Sequence, residues 1–169
     1  MYEYIPKREN KTAMYASLFL FVGAFILMAF PALVEIAYKW IPQLLGMIML
    51  ALCIAILTRY IFRGFIYSVA DNGNGSPDLS VTEIQGKKRI TVCRISLSGI
   101  EQAVMLNAAN RSQLQQLAEG RKKFNYMVDI APSNQLWIFA EECGEKLLIK
   151  ISPDDRLAAM LGASQNTEV

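Results

Sequence analysis

Two long stretches without a charge constrain this chain more than anything else in it. Thr12 to Val34 covers 23 positions and Ile41 to Thr58 covers 18, and neither holds an Asp, Glu, Lys or Arg. A helix rises about 1.5 Å per residue, so about 20 apolar residues cross a hydrocarbon core of ~30 Å. The two runs therefore predict a transmembrane helical hairpin, with spans at 13–34 and 41–63. Pro31 falls near the far end of the first span, where lost backbone hydrogen bonds are easiest to tolerate. Pro42 falls in the first turn of the second, where its missing N–H costs little. Two buried helices of a soluble core would need far more protein around them than 169 residues supply. A cleaved leader fits poorly too, because its apolar core is about 7–15 residues long and a second span follows here at once.

The flanks give the hairpin a direction. Lys7, Arg8 and Lys11 precede the first span, Arg59 and Arg63 close the second, and only Lys39 lies in the connection. By the excess of Lys and Arg on cytoplasmic flanks, both termini are expected in the cytoplasm of a cell whose membrane the chain crosses twice. Tyr38 and Trp40 suit the headgroup zone, and together with Arg59 and Arg63 they form the expected membrane-interface anchors. No charge lies deep in either span, so no proton or ion path is written there. Two helices are also too few to enclose a pore, which leaves an anchor. The Ala51–Ala55 spacing, with Gly46 before it, is a candidate for close helix approach.

The remaining charge sits in a head, 1–12, and a long tail. From Gly64 onward there are eleven basic and twelve acidic residues, a formal charge of −1, while the preceding part has six against three, or +3. A nucleic-acid partner would need clustered excess Lys and Arg, so none is expected. Histidine is absent, which removes Ser-His-Asp and Cys-His catalysis and His-based metal sites. Cys53, Cys93 and Cys143 are far apart and form no CxxC pair, so they read as small hydrophobes in a reducing compartment. No cofactor, metal or catalytic residue is expected.

The tail changes period. Phe65–Ala70 is a short β-prone run, followed by turn residues from Asp71 to Asp78. Leu79, Val81 and Ile84 lead to a turn at Gly86-Lys87-Lys88, and Arg89–Ser96 alternates Ile90, Val92 and Arg94 against Thr91, Cys93 and Ile95. This predicts a meander of three strands with a hairpin near Gly86. A fourth strand is expected at 100–106, a helix at 110–119 stopped by Gly120, and further strands at 124–130, 135–141 and 146–151. Ser152-Pro153-Asp154-Asp155 then opens a helix through Leu161, with Ser152 as cap and the acids at the positive end. The domain is expected over 64–162, with a flexible tail at 163–169.

Seven short strands and a closing helix resemble the bacterial pleckstrin-homology-like domain. The resemblance sits in the segment 88–100, a basic start and exposed strand before a turn and an inward Ile, and in the ending 147–161, a last strand running into a helix. It implies an α+β chain: a two-helix anchor, then an antiparallel β-barrel or sandwich plugged by the C-terminal helix. It further implies a bacterial cell-membrane protein that binds rather than catalyses. The first strand turn holds Asp71 and Asp78 and no Lys or Arg, so the family's inositol-phosphate grip does not carry over.

Two basic clusters remain, Lys87-Lys88-Arg89 and Arg121-Lys122-Lys123. Each Lys or Arg near an anionic leaflet adds ~1 kcal/mol, so the six are candidate lipid-facing residues. The competing readings are a solvated turn and a helix end complemented by charge. Asp154-Asp155 belongs to a helix start and Glu141-Glu142 to a turn, and neither has a partner to tune it as an acid or base. The expected function is a membrane-anchored scaffold engaging a protein or peptide partner, or a further copy of itself. The alternative is a sensor of anionic lipid surface, with a membrane enzyme a distant third.

Overall fold

A computed structural model describes residues 2–8, 11–33, 38–71, 73, 77–130, 132–142 and 144–163. Glu35, Cys143, most of the turn at 72–76 and the tail beyond 163 lie outside these residues. The chain divides into two compact units. One holds Asn10–Arg63; the other joins Met1–Glu9 to Gly64–Val169.

The first unit is a pair of apolar helices. α1 spans Thr12–Leu33, and α2 spans Trp40–Ile56 before a π-helical turn over Leu57–Ile61. The π turn is marked by the Phe62 N–H donating to the Leu57 carbonyl at 2.9 Å. Both helices are long and apolar enough to cross a membrane, and only 17% and 11% of their apolar windows are buried. Core helices of a soluble protein would be mostly buried, so the apolar faces of this pair are turned outward.

The helices meet along small residues. Ala13, Ser17 and Ala24 are buried on α1, and Gly46 and Cys53 on α2. The Cys53 thiol donates to the Ser17 carbonyl at 3.2 Å. A Cβ added to Gly46 would stand 3.0 Å from the Ala24 carbonyl oxygen and 2.8 Å from Met28 Cγ. The seam thus runs through Gly46 and Cys53, seven residues apart. Ala51 and Ala55 face outward, which corrects the expectation of contact there. Their four-residue spacing is right, but it falls on the wrong side of the helix.

The second unit holds two four-stranded sheets. The first contains β1 (Tyr2–Tyr4), β2 (Arg63–Asp71), β3 (Pro77–Gln85) and β4 (Lys88–Ser96), in that spatial order. The second has the order β5 (Ile100–Met105), β7 (Leu136–Glu142), β8 (Glu145–Ile151) and β6 (Lys122–Asn125). Helix α3 (Arg111–Leu117) follows β5, and α4 (Asp155–Met160) follows β8.

Inward residues of both sheets share one core. Phe65, Tyr67, Leu79, Val81 and Ile95 come from the first sheet, and Leu136, Ile138, Ile149 and Ile151 from the second. Leu157 and Leu161 seal it from α4 and its C-terminal end. The opposite face of the second sheet has its own cluster, where Val104, Trp137, Phe139 and Leu148 pack against Leu114 and Ala118.

Several expectations change on contact with this arrangement. The sheets do not close into a barrel. A 3₁₀ turn at Leu97–Gly99 carries the chain from one sheet to the other, and β4 and β5 share no ladder. The head is no separate element, since Tyr2, Glu3 and Tyr4 pair antiparallel with Val69, Ser68 and Tyr67. Strand β6 ends at Asn125 instead of running to Ile130, because the Asn125 side chain accepts from the Met127 N–H at 3.0 Å and turns the backbone out of the ladder. It also runs parallel to β8, where the resemblance implied antiparallel sheets. Asp154, not Ser152, caps α4, its Oδ1 accepting from Leu157 N–H at 2.9 Å.

Candidate binding surface

The β3–β4 hairpin is exposed at its tip. Gly86 takes a positive φ of 61° at its turn, a conformation glycine reaches without steric cost. Lys87, Lys88 and Arg89 follow, all exposed. Beyond them the alternation of β4 decides which residues point where. Cys93 and Ile95 turn toward the core and Arg94 away from it, while Ile90 pairs with Glu83, which shares the β3 face of Leu79 and Val81. A bulge between Val81 and Thr82 shifts the register here. Ile90 is 58% exposed and Val92 37%. Strand β4 is also the last of its sheet, and its Val92 carbonyl accepts from the Tyr126 hydroxyl at 3.5 Å. Arg94 is engaged by Asp78 at 3.2 Å.

The hairpin tip has a defined neighbour. The Cβ position at Gly64 lies 3.8 Å from Ile84 Cβ. Gly64 is the second residue of β2, which begins two residues after the π-helical end of the second apolar helix. The turn bearing Lys87, Lys88 and Arg89 therefore sits at the end of the sheet where β2 starts.

The second basic cluster is dispersed. Arg121 donates from Nη2 to Glu101 at 2.8 Å and from Nε to the Leu117 carbonyl at 3.1 Å, with its guanidinium 5.2 Å from the Phe139 ring centre. Lys122 pairs with Glu145 at 3.2 Å. Lys123 alone keeps company with other cations. It is paired with Leu148 on β8, two residues before Lys150, so Lys123 and Lys150 share a face. Three consecutive basic residues thus take three different environments. No sequence signal pointed to Lys150, whose ammonium stands 3.7 Å over the ring of its cross-strand partner Trp137.

Of the interface anchors, Tyr38 and Trp40 are exposed at 63% and 61%, at the start of α2. Arg59 lies in the π turn, its guanidinium 5.9 Å from the Tyr60 ring centre, and Arg63 opens β2.

Several polar groups inside the second unit are committed to structure. The Tyr67 hydroxyl donates to the Tyr126 carbonyl at 2.7 Å and accepts from the Ser152 N–H at 3.4 Å. Burial raises its pKa above the ordinary tyrosine value. Asp154, besides capping α4, accepts from the Tyr2 hydroxyl, and Arg156 lies 4.9 Å over the Tyr2 ring. Burial, aided by the charge of Glu142, pushes the Cys93 thiol up to about 11, the opposite of what a nucleophilic cysteine needs. Among the described residues no group of three His, Cys, Asp or Glu could hold a metal ion. Glu141 and Glu142 end β7 in an exposed position.

Comparison with known protein families, curated proteins and solved structures returns no match.

Proposed function

We propose that this chain is a membrane-anchored, non-catalytic binding domain that takes an extended segment of a partner protein on the open edge of β4. The reading rests on one observation. The first five residues of β4 are exposed, carry Ile90 and Val92 among them, and lie on the outermost strand of their sheet. An open strand offers unpaired N–H and C=O groups, and an added strand satisfies them while its side chains supply specificity. Lys88 and Arg89 at the start of the strand favour an acidic segment. The two apolar helices serve as the anchor. Residues 2–4 pair with residues 67–69 of β2, so a chain that enters the bilayer after the head must return to the same side before β2. The positive flanks make that side the cytoplasm, in a bacterial cell membrane. Two sheets around one core, with a helix at the C-terminal end, suit a pleckstrin-homology-like reading of the domain.

The test is a photo-crosslinking residue placed at Ile90 in the full chain in its own membrane. A discrete adduct with another protein is expected there and not from the same residue at Leu117, which is exposed on α3. Adducts at neither position, or equally at both, argue against the reading.

A second reading concerns the hairpin tip. The Cβ position of Gly64 lies 3.8 Å from Ile84 Cβ, so the turn with Lys87, Lys88 and Arg89 is at the end of the sheet where β2 begins. Such a placement suits contact with an anionic leaflet, at ~1 kcal/mol per basic residue.

A further inference from the structure

The outer face of the second sheet gathers three cations. The sheet register puts Trp137 and Lys150 opposite each other on β7 and β8, and Asn125 opposite Lys150 on β6. Lys123 is the next residue of β6 on that face. Arg111 opens α3, which packs on this face through Leu114 and Ala118 against Phe139, Leu148 and Trp137. Among the described residues none of the three cations enters an ion pair. Burial first, and then the repulsion of Lys123 and Arg111, lowers the pKa of Lys150.

Trp137 adds a second, independent observation. It is 5% exposed, and its indole N–H is buried with no acceptor among the described residues. A buried donor without a partner costs free energy, as does a cation held beside other cations. An aromatic face beneath Lys150 offsets part of this through the cation–π contact, but an aromatic ring carries no net charge. A bound anion would neutralise the crowded cations, and one reaching the edge of the Trp137 ring would accept from its indole N–H. Three cations on one face suit a group of at least two negative charges and several oxygens. Trp137 is too buried to offer a stacking face, which disfavours a ligand that needs its base or ring recognised there.

We propose that Arg111, Lys123 and Lys150, seated over Trp137, form a binding site for a compact phosphate-class oxyanion, a diphosphate or a terminal phosphate monoester. A soluble phosphate compound and a phosphomonoester lipid headgroup present the same chemistry, and the site recognises that shared group. It is distinct from the β4 edge and uses none of its residues.

Trp137 reports on its own site. The chain has two tryptophans, so Trp40→Phe leaves Trp137 as the sole indole, beneath the ammonium that an anion would draw toward itself. The full-length Trp40→Phe chain in phosphatidylcholine nanodiscs is titrated with sodium diphosphate at constant ionic strength, reading Trp137 emission. A saturable change is expected below roughly 10 mM, weakened about tenfold by Lys150→Gln or by Lys123→Gln. Nanodiscs containing phosphatidic acid form the second arm. A change produced by free diphosphate assigns a soluble ligand, and a change seen only with phosphatidic acid assigns a headgroup. Either must vanish in the Arg111→Gln, Lys123→Gln, Lys150→Gln triple variant and persist when Lys87, Lys88 and Arg89 are all changed to Gln. That last variant separates this site from the hairpin tip. Circular dichroism of the triple variant must match the parent, and Arg111→Lys, which keeps the charge, must retain the response. No saturable change in either arm, or an equal change in the folded triple variant, overturns the proposal.

Discussion

The Tyr67 hydroxyl ties the two sheets together, and its removal gives a sharp test of how the second unit holds. Tyr67 is on β2 of the first sheet, while its partners Tyr126 and Ser152 follow β6 and β8 of the second. Tyr67→Phe keeps the ring and its packing and removes only the oxygen. The Tyr126 carbonyl loses a donor at 2.7 Å, and the Ser152 N–H loses its acceptor at 3.4 Å. A buried group stripped of its partner costs about 1–3 kcal/mol. The first bond is short and the second long, so the sum is about 2 kcal/mol. For a unit of this size that shifts the melting midpoint down by roughly 10 °C. The assay is thermal unfolding of the full chain in detergent, followed by near-ultraviolet circular dichroism. The parent must also lose stability at high pH. A tyrosine whose folded pKa exceeds its unfolded value gives stability that is present below the ordinary value near 10 and lost as pH rises above it. Tyr67→Phe must flatten that alkaline limb. An unchanged midpoint, or an alkaline limb as steep as the parent's, would refute the reasoning.

Other residues make equally specific demands. Gly46→Leu should separate the helix pair at a cost of about 1–3 kcal/mol, because the blocking atom is the Ala24 backbone carbonyl, whereas Gly23→Ala meets only the flexible end of Met49 and should be tolerated; unfolding in detergent compares them. Replacing Lys87, Lys88 and Arg89 by Gln should release the hairpin from anionic nanodiscs by about 3 kcal/mol at ~1 kcal/mol each, read from an environment-sensitive dye at position 90, which should then report water in place of the interface. Lys150 has a lowered pKa, through burial first and then Lys123 and Arg111. The folded state therefore holds this proton less well than the unfolded chain, and stability rises with pH toward the ordinary lysine value. Lys150→Gln should remove that rise, as seen in denaturant midpoints across the alkaline range.

The parts of the fold that followed from the sequence are those with a strong local pattern. Uncharged length marked both apolar helices. The alternation from Arg89 to Ser96 and the glycine at 86 marked the hairpin that now forms the candidate surface. What escaped was set by distant partners. Tyr2–Tyr4 is three residues long and has no period of its own, so its place beside β2 was not legible. The helix seam depends on which side Gly46 faces, and the Ala51–Ala55 spacing is equally good in sequence terms on the wrong side. Asn125 ended β6 by a side-chain bond that propensity alone does not foresee. The cation cluster joins residues 111, 123, 137 and 150 from four elements. Its most local clue, the run Arg121-Lys122-Lys123, was misleading as a unit, because Glu101 and Glu145 claim two of the three.

The pairing of β1 with β2 also affects how the domain can be studied. A fragment starting at Gly64 lacks the strand that covers one edge of the first sheet and the Tyr2 hydroxyl that meets Asp154. Binding experiments therefore need the head as well as the tail, which in practice means the full chain.

The central claim is that the two helices cross a bilayer and return, with head and domain together on the cytoplasmic side. Single cysteines in a background of Cys53→Ser, Cys93→Ser and Cys143→Ser test it most directly. Intact cells are treated with a membrane-impermeant maleimide. Lys39→Cys, between the helices, should be labelled from outside, while Lys7→Cys and Lys87→Cys should be labelled only after the cells are opened. Labelling of Lys7→Cys or Lys87→Cys in intact cells, or protection of Lys39→Cys until they are opened, would contradict the account.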